Sequence, residues 1–250
     1  MKDKAFLIDT SKCMGCRGCQ VACKQWNQLP AEATVNTGSY ENPPTTKPNT
    51  YTKVAFKEVV EGGSVKWLFR KEQCMHCTDA ACVNSCPVDA QGRNEYGLTE
   101  IDKDKCIGCG LCAQVCPFQM PKISEATKKA SKCWVCLDRI SEGMEPACAK
   151  ACPTDAISFG DREEMLALGR NKVAASKDKK LYLYGTIEFG GLHVMYVLPE
   201  PPEIYGLPQG AAALNKFELY TYLEEKFRGS PIRDEVLTAA ALKYFGNVRV

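Results

Sequence analysis

The sequence predicts an α+β fold in which one cysteine-rich module is inserted into another, with a mostly helical C-terminal extension. Three observations predict it. The sixteen cysteines of the 250-residue chain fall into four runs of four, with none left over. Short apolar alternations of strand type flank those runs, and Gly62-Gly63 joins two of them as a hairpin. Past Cys152 there is no further cysteine, and helical periodicity takes over.

The run that organises the rest is Cys106-Ile-Gly-Cys109-Gly-Leu-Cys112-Ala-Gln-Val-Cys116-Pro117. Three thiols two residues apart, a fourth after three more and then proline make the bacterial ferredoxin run. Its first three cysteines hold one [4Fe–4S] cluster and its fourth reaches a second. A cubane needs four thiolates converging from different directions. Small residues such as Gly108 and Gly110 let the backbone wrap three of them around one side. The same run recurs as Cys13, Cys16, Cys19 and Cys23. It recurs with two extra residues as Cys74, Cys77, Cys82 and Cys86, and with the insertion Leu137 to Ala147 as Cys133, Cys136, Cys148 and Cys152. Proline follows three of the four (Pro87, Pro117, Pro153). Structural zinc is the rival reading, since paired Cys-x2-Cys units also bind zinc. It leaves the third and fourth cysteines of each run and the following proline unexplained. A disulfide scaffold belongs to short secreted chains rather than to one of this length. Four sets of four thiolates therefore predict four [4Fe–4S] clusters, with iron held through all sixteen cysteines.

Taken in order, Lys4 to Asp9 reads as a strand leading into the first cysteine loop, and residues 20–28 as a helix. Residues 29–51 carry Pro30, Pro43, Pro44 and Pro48 among small polar residues and read as a long functional or interface loop. The alternation from Thr52 to Val60 and from Val65 to Arg70 predicts the hairpin. The turn and short strands between Cys86 and Cys106 are those of a two-cluster ferredoxin, so the second and third runs form one unit. Cross-ligation then puts one cluster on Cys74, Cys77, Cys82 and Cys116 and another on Cys86, Cys106, Cys109 and Cys112. By elimination the first and fourth runs pair. One cluster takes Cys13, Cys16, Cys19 and Cys152; the other takes Cys23, Cys133, Cys136 and Cys148. Consecutive pairing, first run with second and third with fourth, is the alternative. The segment Pro153 to Gly160 would pair with the N-terminal strand and close the outer unit.

This makes the fold two nested ferredoxin-like (bacterial 2[4Fe–4S]) modules with a β-hairpin insertion. The outer module spans 1–28 plus 122–160 and the inner one 71–121. The loop and hairpin of 29–70 form an interface, and 161–250 is an extension for partner contact. In that extension Asp161 and Glu164 suggest a capping box, with Met165, Leu166, Leu168 and Val173 on the apolar side of a helix. Residues 181–184 and 192–198 read as strands, and Pro199, Pro201, Pro202 and Pro208 mark an extended arm. Leu214, Phe217, Tyr220, Leu223 and Phe227 share one helical face, and a last helix runs over 232–245.

A net charge of +2 from 32 basic and 30 acidic residues points to neither nucleic acid nor an anionic membrane. No apolar run is long enough to span a bilayer, and the N-terminus lacks the pattern of an export signal. His76 lies between two ligands and either tunes a cluster or packs locally. His193 reads as a core histidine, and Trp26 and Trp134 as shields against water. No nucleophile–base pair, phosphate loop or dinucleotide fingerprint appears, so no catalytic residue is assigned.

The stretches CMGCRGCQVACKQWNQLPAE, NTGSYENPP, WLFRKEQCMHC, CIGCGLCAQVCPF, KCWVCLDRISEGMEPACAKACPTDAISFGD and GLHVMYVLPEPPEIYGLP make the chain resemble a known family. It is similar to the iron–sulfur (beta) subunits of formate dehydrogenases. These belong to the four-cluster ferredoxin subunits of molybdenum/tungsten bis-pyranopterin oxidoreductases. The resemblance implies the nested ligand sets given above and a large molybdenum/tungsten catalytic partner. It also implies that electrons from formate pass along the clusters to a further redox partner, a cytochrome or other carrier. Membrane-bound relatives continue past the GLP segment into a transmembrane helix. Here Gly206-Leu-Pro leads into a charged helix, which favours a soluble acceptor. The same role beside a polysulfide, thiosulfate or sulfoxide reductase, or as a free-standing polyferredoxin, is the alternative. The compartment is open between periplasmic, by co-export with the partner, and cytoplasmic.

Overall fold

A computed structural model describes residues 3–177, 180–210 and 216–246. The chain opens with β1 (Lys4–Asp9) and reaches helix α1 (Gly18–Trp26) through the first cysteine loop. Residues 29–51 form no helix or strand and lie across α1 and the hairpin that follows. They are tied down at both. Gln20 donates to the Asn42 carbonyl at 3.2 Å, and the Phe56 N–H donates to Glu41 at 2.9 Å. Glu32 holds Lys47 at 2.6 Å.

The hairpin pairs β2 (Lys53–Glu61) with β3 (Ser64–Glu72). Its two turn residues, Gly62 and Gly63, both have positive φ (57° and 80°), as a two-residue turn that follows the twist of its strands requires. The hairpin forms where the alternation predicts it, and its burial follows a gradient along the ribbon. Val54 and Lys71 at its root and Leu68 at its middle are buried, whereas Val60 and Val65 near the turn are exposed.

The second and third cysteine runs follow, with α2 (Ala81–Asn84), the β4 (Gln91–Arg93)–β5 (Thr99–Ile101) pair and α3 (Leu111–Val115). After β6 (Lys122–Ile123) and β7 (Ala130–Ser131) come the short helices α4 (Leu137–Ile140) and α5 (Ala147–Lys150). The chain then enters β8 (Ile157–Asp161) and α6 (Arg162–Ala175). Strands β9 (Tyr182–Tyr184) and β10 (Val194–Leu198) and helices α7 (Lys216–Lys226) and α8 (Arg233–Phe245) complete it.

One four-stranded sheet, in the order β8-β1-β10-β9, ties the two ends of the chain together. β8 runs antiparallel to β1, as expected, with Phe6 opposite Phe159. β10 adds to the other side of β1 in parallel, Phe6 opposite Val194. Both faces of this sheet are covered, which is why β1 reads as an unbroken apolar run rather than an alternation. Phe6 and Ile8 face the cysteine core, and Ala5 and Leu7 join Met195 and Val197 beneath α6. Gly169 of α6 allows the close approach, since a Cβ there would stand 2.8 Å from Leu183 and 3.1 Å from Leu7.

Four expectations need correction. Asp161 does cap α6 in position, but its carboxylate makes no capping bond: Lys4 takes it, 2.8 Å away on the neighbouring strand. The proline-rich arm is not extended throughout, because Pro202–Tyr205 closes a 3-10 turn that buries Tyr205. On α7 the buried residues are Leu219, Leu223 and Phe227, with Tyr220 only partly buried. Leu214 and the side chain of Phe217 lie outside the described residues. His193 sits just ahead of β10 rather than within it, and is buried as expected.

Candidate iron–sulfur cluster sites

None of the sixteen cysteines forms a disulfide; eleven are buried, four half-buried and one, Cys16, exposed. Each run begins in a loop; the first ends within α1 and the other three end just beyond a short helix, so successive thiols leave the backbone in different directions. The loops turn through left-handed residues, including Gly15, Gly108, Gly110, Val135 and Cys136. Gly108 shows why glycine is needed. A Cβ there would stand 1.8 Å from the Lys128 carbonyl oxygen, so only a bare backbone lets the turn between β6 and β7 lie on the loop.

Burial and neighbouring thiols raise the affinity of these cysteines for their protons. Burial raises Cys13, Gly15 N–H lowers it, and Cys152 and Cys16 add repulsion. Burial pushes Cys19 up to about 12, with Lys71 pulling it back and Cys148, Cys13 and Cys16 adding to it. Burial raises Cys23 far above its ordinary value, and Cys133, Cys148 and Cys136 repel it there. Cys77 is raised by burial and then by Cys74, Cys116 and Cys82. Burial brings Cys109 to about 11, with Cys86 and Cys106 beside it. The helices agree with this grouping. α1 and α5 lie side by side, and the Ala151 carbonyl stands 3.3 Å from where a Gly18 Cβ would be. Links between groups run from Cys148 to Cys19, from Cys74 to Cys133 and from Cys82 to Cys112.

Buried thiols that repel one another do not ionise unaided, yet the thiolate is the metal ligand. A strongly positive core at their centre resolves the conflict. Among the described residues no three His, Cys, Asp or Glu side chains converge as they would on a single ion. The fit to a cluster rests on other observations. A cavity lined by Cys23, Cys133, Cys136 and Cys148 is closed by Phe6, Tyr51, Lys71 and Trp134. Backbone N–H groups donate to sulfur: Ala90 to Cys86 and Ala130 to Cys106 at 3.3 Å, Met120 to Cys116 and Gly18 to Cys16 at 3.5 Å. Such donors stabilise negative sulfur and tune a cluster's potential. The residues present fit the group.

Of the residues weighed from sequence, Trp134 lines that cavity, whereas Trp26 is exposed, donating to Asp138 at 2.9 Å with Arg139 over its ring. The His76 ring is fully buried and its Nδ1 accepts the Thr99 N–H at 3.1 Å. Burial holds it well below its ordinary value, helped by Lys132 and His193. His193 lies between the His76 carbonyl at 2.6 Å and Asp3 at 2.8 Å. Two lysines were missed. Lys71, buried, stands among Cys148, Cys19, Cys133 and Cys23, and Lys132 donates to the Thr99 carbonyl at 2.6 Å and faces Cys82. A charged residue at a position where a strand enters the core was the available signal.

Cysteines in ferredoxin-type runs, mostly buried and wrapped on a small α+β scaffold, define an iron–sulfur electron-transfer protein. Two models of the 4Fe-4S dicluster domain match the chain, over residues 12–90 and 65–162. The chain is 42% identical over 213 residues to the iron–sulfur subunit of the nitrate-inducible formate dehydrogenase of Escherichia coli, covering 82% of this chain and 72% of that one. It is 40% identical over 220 residues to the formate dehydrogenase 2 subunit beta (cytochrome c-553) of Nitratidesulfovibrio vulgaris, covering 81% of this chain and 96% of that one. The chain belongs to the family of formate dehydrogenase iron–sulfur subunits and transfers electrons within that complex. Its dicluster domains and sixteen cysteines are consistent with four [4Fe–4S] clusters. Among the described residues no helix is long and apolar enough to cross a membrane.

Proposed function

We propose that the chain forms a wire of four clusters between a large molybdenum/tungsten bis-pyranopterin subunit that oxidises formate and a second redox protein. The ligand sets are nested: Cys13, Cys16, Cys19 and Cys152; Cys23, Cys133, Cys136 and Cys148; Cys74, Cys77, Cys82 and Cys116; Cys86, Cys106, Cys109 and Cys112. The observation that carries this reading is the cavity that Cys23 lines together with Cys133, Cys136 and Cys148, with α1 packed against α5, across more than a hundred residues of chain. Residues 1–28 and 122–160 then make one module and 71–121 another, with the 29–70 segment and the 161–250 extension available to partners. The clusters supply reversible one-electron storage. The protein holds them in order, keeps water from eleven of sixteen sulfurs and sets their potentials with N–H donors and lysines. The order that the links support is first set, second, third, fourth. A c-type cytochrome suits the acceptor end, as the name of the Nitratidesulfovibrio relative suggests.

Paired substitutions test the nesting. Cys13→Ala and Cys152→Ala each remove one cluster, about four irons. The double variant removes no more than either alone. Loss of a second cluster in the double variant would instead establish consecutive pairing.

A further inference from the structure

We propose that α7 and α8 form an insulating cap over the set Cys86, Cys106, Cys109 and Cys112, so that this end of the wire is closed to water-borne oxidants while the other end is open to them. The inference rests on the ligand sets proposed above. Leu219, Leu223 and Phe227 of α7 and Val236, Leu237 and Tyr244 of α8 share one apolar cluster with Cys109, Leu111 and Val115. Three latches fasten the pair to both loops of the set. The Tyr222 hydroxyl donates to the Cys109 carbonyl at 3.2 Å, the Tyr244 hydroxyl donates to the Ser85 carbonyl, and Lys243 donates to the Val83 carbonyl at 3.2 Å. Lys243 also pairs with Asp89. The Tyr222 hydroxyl stands 3.2 Å from the position a Gly110 Cβ would take, so glycine there leaves room for the latch.

The two ends of the chain's cysteine sets differ accordingly. All four thiols under the cap are buried, whereas Cys16 is exposed and Cys13 and Cys152 half-exposed. Reduction adds an electron to an already anionic centre, and a low-dielectric surrounding disfavours the more charged state. Water reaching the set therefore raises its midpoint potential, and it also admits chelators and oxidants. The cap keeps the fourth set at low potential and directs its electrons to a protein partner rather than to small oxidants.

The test uses the intact complex, prepared anaerobically, in wild-type form, with Leu223→Asp, and with Tyr222→Phe and Tyr244→Phe combined. The readouts are bound iron, its release to a ferrous chelator and EPR-monitored midpoints. The cap predicts full iron at the start. In both variants about a quarter of it then leaves at least about tenfold faster, as expected when latching bonds or an apolar seal are lost. One midpoint moves upward and three stay in place. Where Leu223→Asp fails to assemble, the tyrosine pair decides. Fully loaded variants with unchanged release and potentials overturn the cap, as does uniform acceleration over all the iron. A wild-type chain lacking its iron overturns instead the ligand sets on which the cap rests.

Discussion

Lys71 and Asp9 show how single residues serve the wire. Lys71 carries an ammonium into the space between the first two cysteine sets, and those thiols raise its affinity for its proton against the cost of burial. A fixed positive charge favours the reduced cluster. Lys71→Met is expected to lower the midpoints of these two sets by on the order of a hundred millivolts, the scale of a unit charge a few ångströms away in an effective dielectric of about 20. EPR titration checks it, and unchanged potentials would contradict the role. Asp9 lies at the end of β1 and holds Lys172 of α6 at 2.8 Å. Burial alone would raise its carboxyl, but the bonds from Lys172 and Ser11 more than offset that and leave it below the ordinary value. Its contribution is therefore present above the unfolded value of about 4 and disappears as pH falls through the lower folded value. Asp9→Asn should cost about 1–2 kcal/mol at pH 7 by urea unfolding. The gap should narrow below about pH 4. A gap independent of pH would show that the charge plays no part. Neither role was legible in the sequence. The Asp161–Glu164 capping motif was, yet Lys4 diverts Asp161, because strand pairing places a competing cation beside it.

At the scale of elements, what sequence reveals depends on how local the cause is. The hairpin was legible because Gly62 and Gly63 determine its turn, and the cysteine loops because their spacing is itself the geometry of a ligand shell. The parallel pairing of β1 with β10 was not, since it joins residues nearly two hundred positions apart and leaves no local pattern. The 3-10 turn at Pro202–Tyr205 was hidden for a similar reason: Tyr205 finds its burial against the distant Thr10 region. The contact between α6 and the sheet passes through Gly169. Gly169→Val would press on Leu183 and Leu7 and should destabilise the chain by about 1–3 kcal/mol, despite valine's better helix propensity. A fall in the urea midpoint at unchanged slope is the expected sign. No fall would mean that α6 can lift away freely.

Across the whole molecule, small helices and two-stranded ribbons supply little core of their own around the cysteines, and the thiols themselves belong to the apolar clusters. Cluster binding and folding should accordingly be coupled. Iron removal by an anaerobic chelator is expected to abolish the cooperative thermal transition, which calorimetry would detect; a transition surviving in iron-free chain would separate the two. The most direct measurement is metal and acid-labile sulfide content of the anaerobically purified complex, expressed per copy of this chain after subtracting the partner's own. The account predicts about sixteen iron atoms and as many sulfides. A content well below that, or zinc in place of iron, would contradict it.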